Sequence, residues 1–421
     1  GNDRIYGGAG TDIFDGGAGD DTFYGVGFGD TIAGGVGSDT VYFNLSTETA
    51  DLVVNLLTGE GAGGTSWTGV ELVSGTLGQG DDSYTTGMQL VAIDGSSGTD
   101  TLTLDYSGAL ADGRTATSID FYSLKSITAD EYVYLSDGTT VSFDIDGFEH
   151  YTITGTDGND RLNGSTSLSS TFYGGAGDDN LYGGTVSSLL FGGDGNDTFT
   201  GGAGADIFDG GTGDDTFRNV GVGDTISGGA GTDTVQFSLG NVTENIAINL
   251  NTGEGSGGVS WTGIGQAYGD LGAGDDSYTT GMQISTINGG AGTDTLTLDY
   301  SGALADGRTA TSIDFYSLKS ITADEYVYLS DGTTVSFDID GFEHYTITGT
   351  DGNDRLNGST SLSSTFYGGD GDDDLYGGAG ADVLDGGAGD DRFSNVGVGD
   401  TISGGVGSDT VYFNLGAETA D

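Results

Sequence analysis

Cysteine is absent from the 421 residues, which excludes disulfides and thiolate metal sites as sources of stability. Basic side chains are scarce: 9 Lys and Arg stand against 65 Asp and Glu, a net charge of −56. Such a chain repels nucleic acid and anionic membranes, so cations are its expected partners, and without them it should expand. No apolar run approaches the roughly 18 residues of a membrane span, so membrane insertion is not expected. Histidine occurs only as His150 and His344, each between a Glu and a Tyr. No metalloprotease helix motif and no Ser/His/Asp arrangement accompanies either, so both read as structural residues and no enzymatic activity is expected. The first residues lack signal-peptide character, and Gly1 falls partway through a repeat, so the chain reads as a segment of something longer.

Glycine and aspartate are abundant, and they are in phase. Of the 421 residues 86 are glycine, and Gly201 to Gln236 reads GGAGADIFD, GGTGDDTFR, NVGVGDTIS, GGAGTDTVQ. Each nine-residue unit has glycine at positions 1, 2 and 4 (one unit departs from this), Asp at position 6 and an apolar residue at position 8. Glycine permits a tight turn with positive φ, Asp presents a carboxylate beside exposed carbonyls, and position 8 alone is placed to face a core. If one turn takes two units, Asp12 stacks on Asp30 along one edge, and Asp3, Asp21 and Asp39 along the other. Phe14 then lies over Ile32 and Phe23 over Val41. Carboxylates about 5 Å apart at an effective dielectric near 20 repel by roughly 3 kcal/mol, so the stack requires a cation between them.

This GGxGxDxUx unit, with U apolar, resembles the calcium-binding nonapeptide of the RTX (repeats-in-toxin, hemolysin-type) family. The resemblance implies an all-β fold, a parallel β-roll or β-solenoid with 18-residue turns, here interrupted by β-rich segments. It also implies Ca²⁺, many ions per chain, bound by carbonyls 2 and 4 and the Asp of one loop with carbonyls 1 and 3 and the Asp of the loop one turn later. Carried onto this chain, that gives Gly8, Gly10 and Asp12 with Gly25, Gly27 and Asp30, and Gly17, Gly19 and Asp21 with Gly34, Val36 and Asp39. Further along it gives Gly175, Gly177 and Asp179 with Gly192, Asp194 and Asp197, then Gly193, Gly195 and Asp197 with Gly210, Thr212 and Asp215. Asp206 would pair with Asp224, Asp215 with Asp233, Asp373 with Asp391, Asp382 with Asp400, and Asp391 with Asp409. Asp3, Asp160 and Asp354 hold the same place in their units, and Asp82 with Asp100 and their copies Asp276 with Asp294 are candidates for one shared weak site each. Six oxygens of this kind suit calcium better than zinc. Units GVGFGDTIA at Gly25 and NVGVGDTIS at Asn219 and Asn395 lack glycine at position 4 and read as closing loops. Ser188 replaces Asp at position 6, so the site there is expected to be missing or weak.

The organisation expected along the chain is β-roll at 1–42, a β-rich solenoid segment with a hairpin at 43–173, roll at 174–236, a second β-rich copy at 237–367, roll at 368–412, and the start of a third β-rich segment at 413–421. Alternation marks strands at Asp51 to Leu57 and Glu244 to Leu250. GEGAGG at Gly59 to Gly64 matches a dinucleotide fingerprint but no helix pattern follows it. Trp67 and Trp261 read as packing residues. In Glu131 to Phe143 a two-residue Asp137-Gly138 turn predicts Tyr132, Tyr134, Val141 and Phe143 on one face, which would cap the solenoid or meet a neighbouring chain. Gly98 to Gly175 recurs unchanged as Gly292 to Gly369, whereas Asp206 recurs at Asp382 with Thr185 to Gly202 missing. That deletion is 18 residues, one whole turn.

At about 4.8 Å per turn the chain would reach on the order of 100 Å, a rod. The expected role is a calcium-binding structural repeat of a bacterial fibril, sheath, surface layer or adhesin stalk, secreted to the cell surface or beyond and meeting other copies of itself. The alternative is the RTX tail of a type I-secreted lipase, protease or epimerase. The resemblance implies export of an unfolded acidic chain and folding in calcium outside.

Overall fold

A computed structural model describes residues 1–87, 92–109, 113–122, 131–281, 284–303, 307–316 and 325–413. The described residues are β-strands and tight loops with no α-helix; Ala62–Gly64 and Ser256–Gly258 form only single 3₁₀ turns, so the glycines from Gly59 open no helix. The expected 414–421 portion of the third β-rich segment lies outside the described residues. Two compact units form, Gly1–Phe217 with Gly229–Gly231, and Arg218–Gly228 with Thr232–Asp421.

In the first unit the chain winds as two parallel ladders that share one thin core. Ile13–Ala18 pairs with Thr31–Val36, placing Phe14 beside Ile32, and Thr22–Val26 pairs with Thr40–Asn44, placing Phe23 beside Val41. Each partner is 18 residues on, as the period requires. Position 8 points inward because strand side chains alternate: Phe14 is 5% exposed while Ile13 beside it is 84% exposed. Phe14 and Phe23 meet edge to face at 6.0 Å across the core. Each buried Phe contributes about 1.5–3 kcal/mol, which fastens every turn to its neighbours with few residues. On the outer face, Tyr6, Tyr24 and Tyr42 stack at 4.9 and 5.1 Å, a direct view of the spacing between turns. Arg161 lies between the rings of Tyr122 and Tyr182.

The ladders do not stop where the nonapeptide does. Thr31–Val36 continues onto Ser66–Thr68, where Trp67 is buried against Ile32, and Thr40–Asn44 continues onto Leu72–Thr76. The alternation read at 51–57 and 244–250 holds, with Leu52, Val54, Leu56 and Ile246, Ile248, Leu250 buried, although the paired strands shorten to Val53–Asn55 and Ala247–Asn249.

The hairpin departs from expectation in register and in role. Glu131 faces Phe143, Val133 faces Val141 and Tyr134 faces Thr140, so three residues, Ser136 to Gly138, make the turn. Gly138 at φ 82° and the 2.8 Å bond from Leu135 N–H to Thr139 O close it. One extra turn residue exchanges the faces. Val133 and Phe143 are buried, whereas Tyr132 and Tyr134 face out. The hairpin is also no cap. Thr140–Asp146 pairs in parallel with Ala92–Asp94, Ala116–Tyr122 pairs in parallel with Arg161–Asn163, and Glu131–Leu135 fits antiparallel between them. On the opposite ladder Thr101–Asp105 pairs directly with His150–Thr154, so the insertion enlarges one turn and leaves the register intact.

The missing turn of the last copy is equally clean. Ser169–Ala176 pairs with Leu189–Asp194, which pairs with Ile207–Thr212; in the second unit Ser363–Asp370 pairs directly with Val383–Ala388, the counterpart of Ile207–Thr212. Ser188 N–H donates to Asp206 Oδ1 at 2.7 Å, and Ser364 N–H donates to Asp382 Oδ1 at 2.6 Å, restoring the same rung after the deletion.

Candidate metal centres

The position-6 carboxylates form ladders, held through one oxygen by the backbone of the preceding turn. Asp3 N–H donates to Asp21 Oδ1 at 2.7 Å, Asp12 to Asp30 at 2.7 Å and Asp21 to Asp39 at 2.8 Å. Asp82 donates to Asp100, Asp160 to Asp179, Asp179 to Asp197 and Asp197 to Asp215 at 2.7 to 2.8 Å. In the second unit Asp276 donates to Asp294, Asp354 to Asp373, Asp373 to Asp391, Asp382 to Asp400 and Asp391 to Asp409 at 2.8 to 3.2 Å. The expected partners among these are brought together, and the structure adds two pairs not expected from the spacing, Asp160 with Asp179 and Asp354 with Asp373, each 19 residues apart. Asp206 and Asp215 lie in the first unit and Asp224 and Asp233 in the second, and all four are buried.

The second oxygen divides the sites into two kinds. For Asp21, Asp39, Asp100, Asp179, Asp197, Asp276, Asp294, Asp373 and Asp391, Oδ2 is buried and accepts no hydrogen bond from the described residues. Leaving an ionised oxygen so placed is costly unless a proton or a cation neutralises it. Burial, then the neighbouring carboxylates, pushes Asp179 and Asp373 up to about 8. Burial is the first cause for Asp100, Asp160, Asp197 and Asp354 too, each pushed up to about 6, and it raises Asp39, Asp276, Asp294, Asp382 and Asp391.

The backbone around these oxygens supplies further ligands. A β carbon on Gly16 would overlap Asp21 Oδ2 and lie 2.6 Å from Gly34 O, so both oxygens converge on a gap that only glycine leaves open. Gly174 faces Asp179 Oδ2 and Gly192 O, Gly192 faces Asp197 Oδ2 and Gly210 O, and Gly368 faces Asp373 Oδ2 and Gly386 O. From the other side, Gly17 and Gly19 take φ of 91° and 127° and aim their carbonyls at Gly35 and Gly37 one turn later. Gly175, Gly177, Gly193 and Gly195 do the same toward the loops after them. The expected position-3 carbonyls of Val36, Asp194 and Thr212 each accept the N–H of Gly19, Gly177 and Gly195 at 2.7 to 2.9 Å, leaving one lone pair apiece. Among the described residues no three His, Cys, Asp or Glu side chains form a cluster, since the backbone provides most of the oxygens.

Within the nonapeptide blocks the opposite edge of the roll is built differently, although outside them Asp100, Asp276 and Asp294 head strands of that same ladder and keep a bare Oδ2. Asp12 Oδ2 accepts Gly8 N–H and Asp30 Oδ2 accepts Gly27 N–H, both at 2.8 Å, and Gly202, Gly378 and Gly397 donate likewise to Asp206, Asp382 and Asp400. Gly25 O lies near Asp12 Oδ2 across Gly7, yet Gly27 O accepts the Thr65 hydroxyl at 2.7 Å. Asn395 Nδ2 donates to Gly377 O at 2.7 Å and to Gly378 O at 3.1 Å. On this edge the carboxylates of Asp12, Asp30, Asp206, Asp382 and Asp400 are therefore engaged by glycine N–H groups of their own loops, and the expected Gly27 carbonyl by a capping side chain. Ser188, as read from sequence, supplies a hydroxyl that accepts Gly184 N–H and no carboxylate.

Sequence reasoning missed Glu71, Glu149 and Glu343, which accept the N–H of Asp39, Asp100 and Asp294 at 2.8 to 2.9 Å, where the next Asp of a ladder would stand. Their signal is a Gly-apolar-Glu triplet ahead of a strand, hidden because its spacing from the partner Asp is not a multiple of nine. His150 and His344 bond Ser169 and Ser363 through Nδ1 at 2.7 Å, a ladder contact.

The profile of the RTX calcium-binding nonapeptide repeat (4 copies) matches residues 1–23, 24–42, 152–167, 169–185, 188–217, 223–243, 346–361, 364–394 and 399–417. No curated protein matches the chain. Among the described residues no helix is long and apolar enough to cross a membrane.

Proposed function

From the premise that this is a chain of RTX calcium-binding nonapeptide repeats, which take several Ca²⁺ ions per array, we propose that it is a structural segment of a secreted fibril, sheath, surface layer or adhesin stalk. The row of buried Oδ2 atoms without a partner among the described residues, on Asp21, Asp39, Asp100, Asp179, Asp197, Asp276, Asp294, Asp373 and Asp391, carries the calcium part of the reading. Asp21, Gly17 and Gly19 with Gly34, Val36 and Asp39 would hold one ion, and the sets around Asp179, Asp197, Asp373 and Asp391 would hold others. Calcium supplies the positive charge that lets paired carboxylates stay ionised while buried. The structural role rests on duplication: 78 residues recur unchanged and one turn is absent without loss of register, a pattern selected for length and not for a catalytic constellation.

The test is circular dichroism with light scattering during a calcium titration followed by chelator. The expected outcome is β signal only with calcium and scattering that grows with protein concentration. A calcium-induced fold that stays monomeric would favour the tail of a secreted enzyme, and an equal β signal in chelator would sink the calcium reading.

A further inference from the structure

We infer that Glu71, Glu149 and Glu343 complete calcium sites of a second kind, at the places where the nonapeptide stops. The inference rests on the reading that buried ladder carboxylates take calcium. All three loops lie outside the segments matched by the repeat profile.

The three junctions share one construction. Asp39 N–H donates to Glu71 Oε2, and Leu72 N–H returns to Asp39 O at 3.0 Å. Asp100 with Glu149 and His150, and Asp294 with Glu343 and His344, repeat both bonds. The same exchange joins consecutive aspartates, as in Asp21 N–H to Asp39 Oδ1 and Thr40 N–H to Asp21 O. Glutamate thus stands in the next aspartate's position. Its extra methylene offsets a shorter loop: Asp follows the first glycine of GGxGxD by five residues, but Glu follows Gly69, Gly147 or Gly341 by two. The residue between, Val70, Phe148 or Phe342, is buried and pins the loop.

A carbonyl completes the likeness. Gly34, Gly95 and Gly289 would each clash, given a β carbon, with the carbonyl of Gly69, Gly147 and Gly341 respectively, while Asp39, Asp100 and Asp294 Oδ2 stand 2.6, 2.9 and 2.8 Å from the same point. These three aspartates are fully buried, and their Oδ2 atoms, without a partner among the described residues, are aimed into that gap. This is the arrangement of Gly16, Asp21 and Gly34, with a Glu beside it. The repeat also contains its own variant. Gly265 occupies, in the second copy, the place of Glu71, while Gly263 O still lies 2.8 Å from the open side of Gly228. A β carbon on Gly265 would meet nothing closer than 3.5 Å, with Asp233 N at 4.0 Å, so a Glu fits there.

Equilibrium dialysis with radioactive calcium on the whole 421-residue chain tests this. Glu71→Gln, Glu149→Gln and Glu343→Gln keep an oxygen for the Asp N–H and remove only the charge. Each single variant is expected to lose one ion, or to bind it at least tenfold more weakly, and the triple variant three. Gly265→Glu is expected to gain one. Unchanged stoichiometry and affinity in the single variants would overturn the proposal and leave the glutamates as backbone acceptors. If the parent chain itself binds no calcium, the underlying reading fails instead, and the two failures are distinct. Circular dichroism at saturating calcium shows whether the triple variant folds; if it does not, the single variants and Gly265→Glu decide.

Discussion

The two oxygens of one aspartate do different work here. Along the ladder of Asp21, Asp179 and Asp197, Oδ1 takes a backbone N–H from the turn before and Oδ2 is the atom assigned to calcium under the proposed function, so a substitution that keeps the first and removes the charge of the second separates architecture from metal binding. Asp197 belongs to two successive rungs. Asp197→Asn retains an acceptor but removes the charge shared by both, and is expected to release about two ions and raise the calcium midpoint of folding on the order of tenfold, read by dialysis and circular dichroism. An unchanged midpoint would count against metal at this edge. Protons should act as weak substitutes. Asp179 and Asp373, pushed up to about 8 by burial, and Asp100 and Asp197, to about 6, bind protons more tightly folded than unfolded. For a group so raised, the metal-free fold gains stability as pH falls through the folded value and loses it as pH rises. In chelator, β signal should therefore increase from pH 8 toward pH 5; a decrease over that window would contradict the burial of these groups.

At the scale of the element, the unit is the 18-residue turn. Deleting residues 185–202 from the middle block repeats what the last copy already shows, and thermal melts in saturating calcium should stay within about 3 °C of the parent, whereas deleting 193–201 moves all later strands to the wrong ladder and should lower the midpoint on the order of 10 °C. Equal effects would show that the two ladders are interchangeable. Much of this was legible in the sequence, because a strict period fixes register: Phe14 over Ile32 and Phe23 over Val41 need only counting. The hairpin was misread where counting had no period to rely on, since a third turn residue at Ser136 exchanged the faces of Tyr132 and Val133. The difference between the two edges was not legible either. Both read GGxGxD, but Gly17 adopts positive φ while Gly8 instead donates its N–H to Asp12. Glu71 stayed hidden because 32 residues separate it from Asp39.

For the molecule as a whole, charge decides whether there is a fold. A net −56 on 421 residues opposes compaction everywhere, and the thin core adds only about one apolar side chain per nonapeptide to oppose it. Chelation should expand the chain toward the radius of gyration of an unfolded polymer of this length, about 75 Å, by small-angle scattering. Salt at 1 M should shrink that ensemble without restoring β signal, since screening removes repulsion between exposed charges but coordinates no buried oxygen. Recovery of β signal in salt alone would show that repulsion, and not ligation, is what calcium relieves.

Among the described residues of each unit, the regular turns pair only with their neighbours, and this sets how such a stack yields to force. Pulled from its ends, a stack of such turns peels and does not shear. Each regular turn frees 18 residues, about 60 Å of extended chain. The turn spanning Thr101 to His150 frees 49 residues, about 160 Å. A force trace should therefore show many short steps of one length interrupted by rare long ones, a mechanical record of the repeat in the order in which it is written.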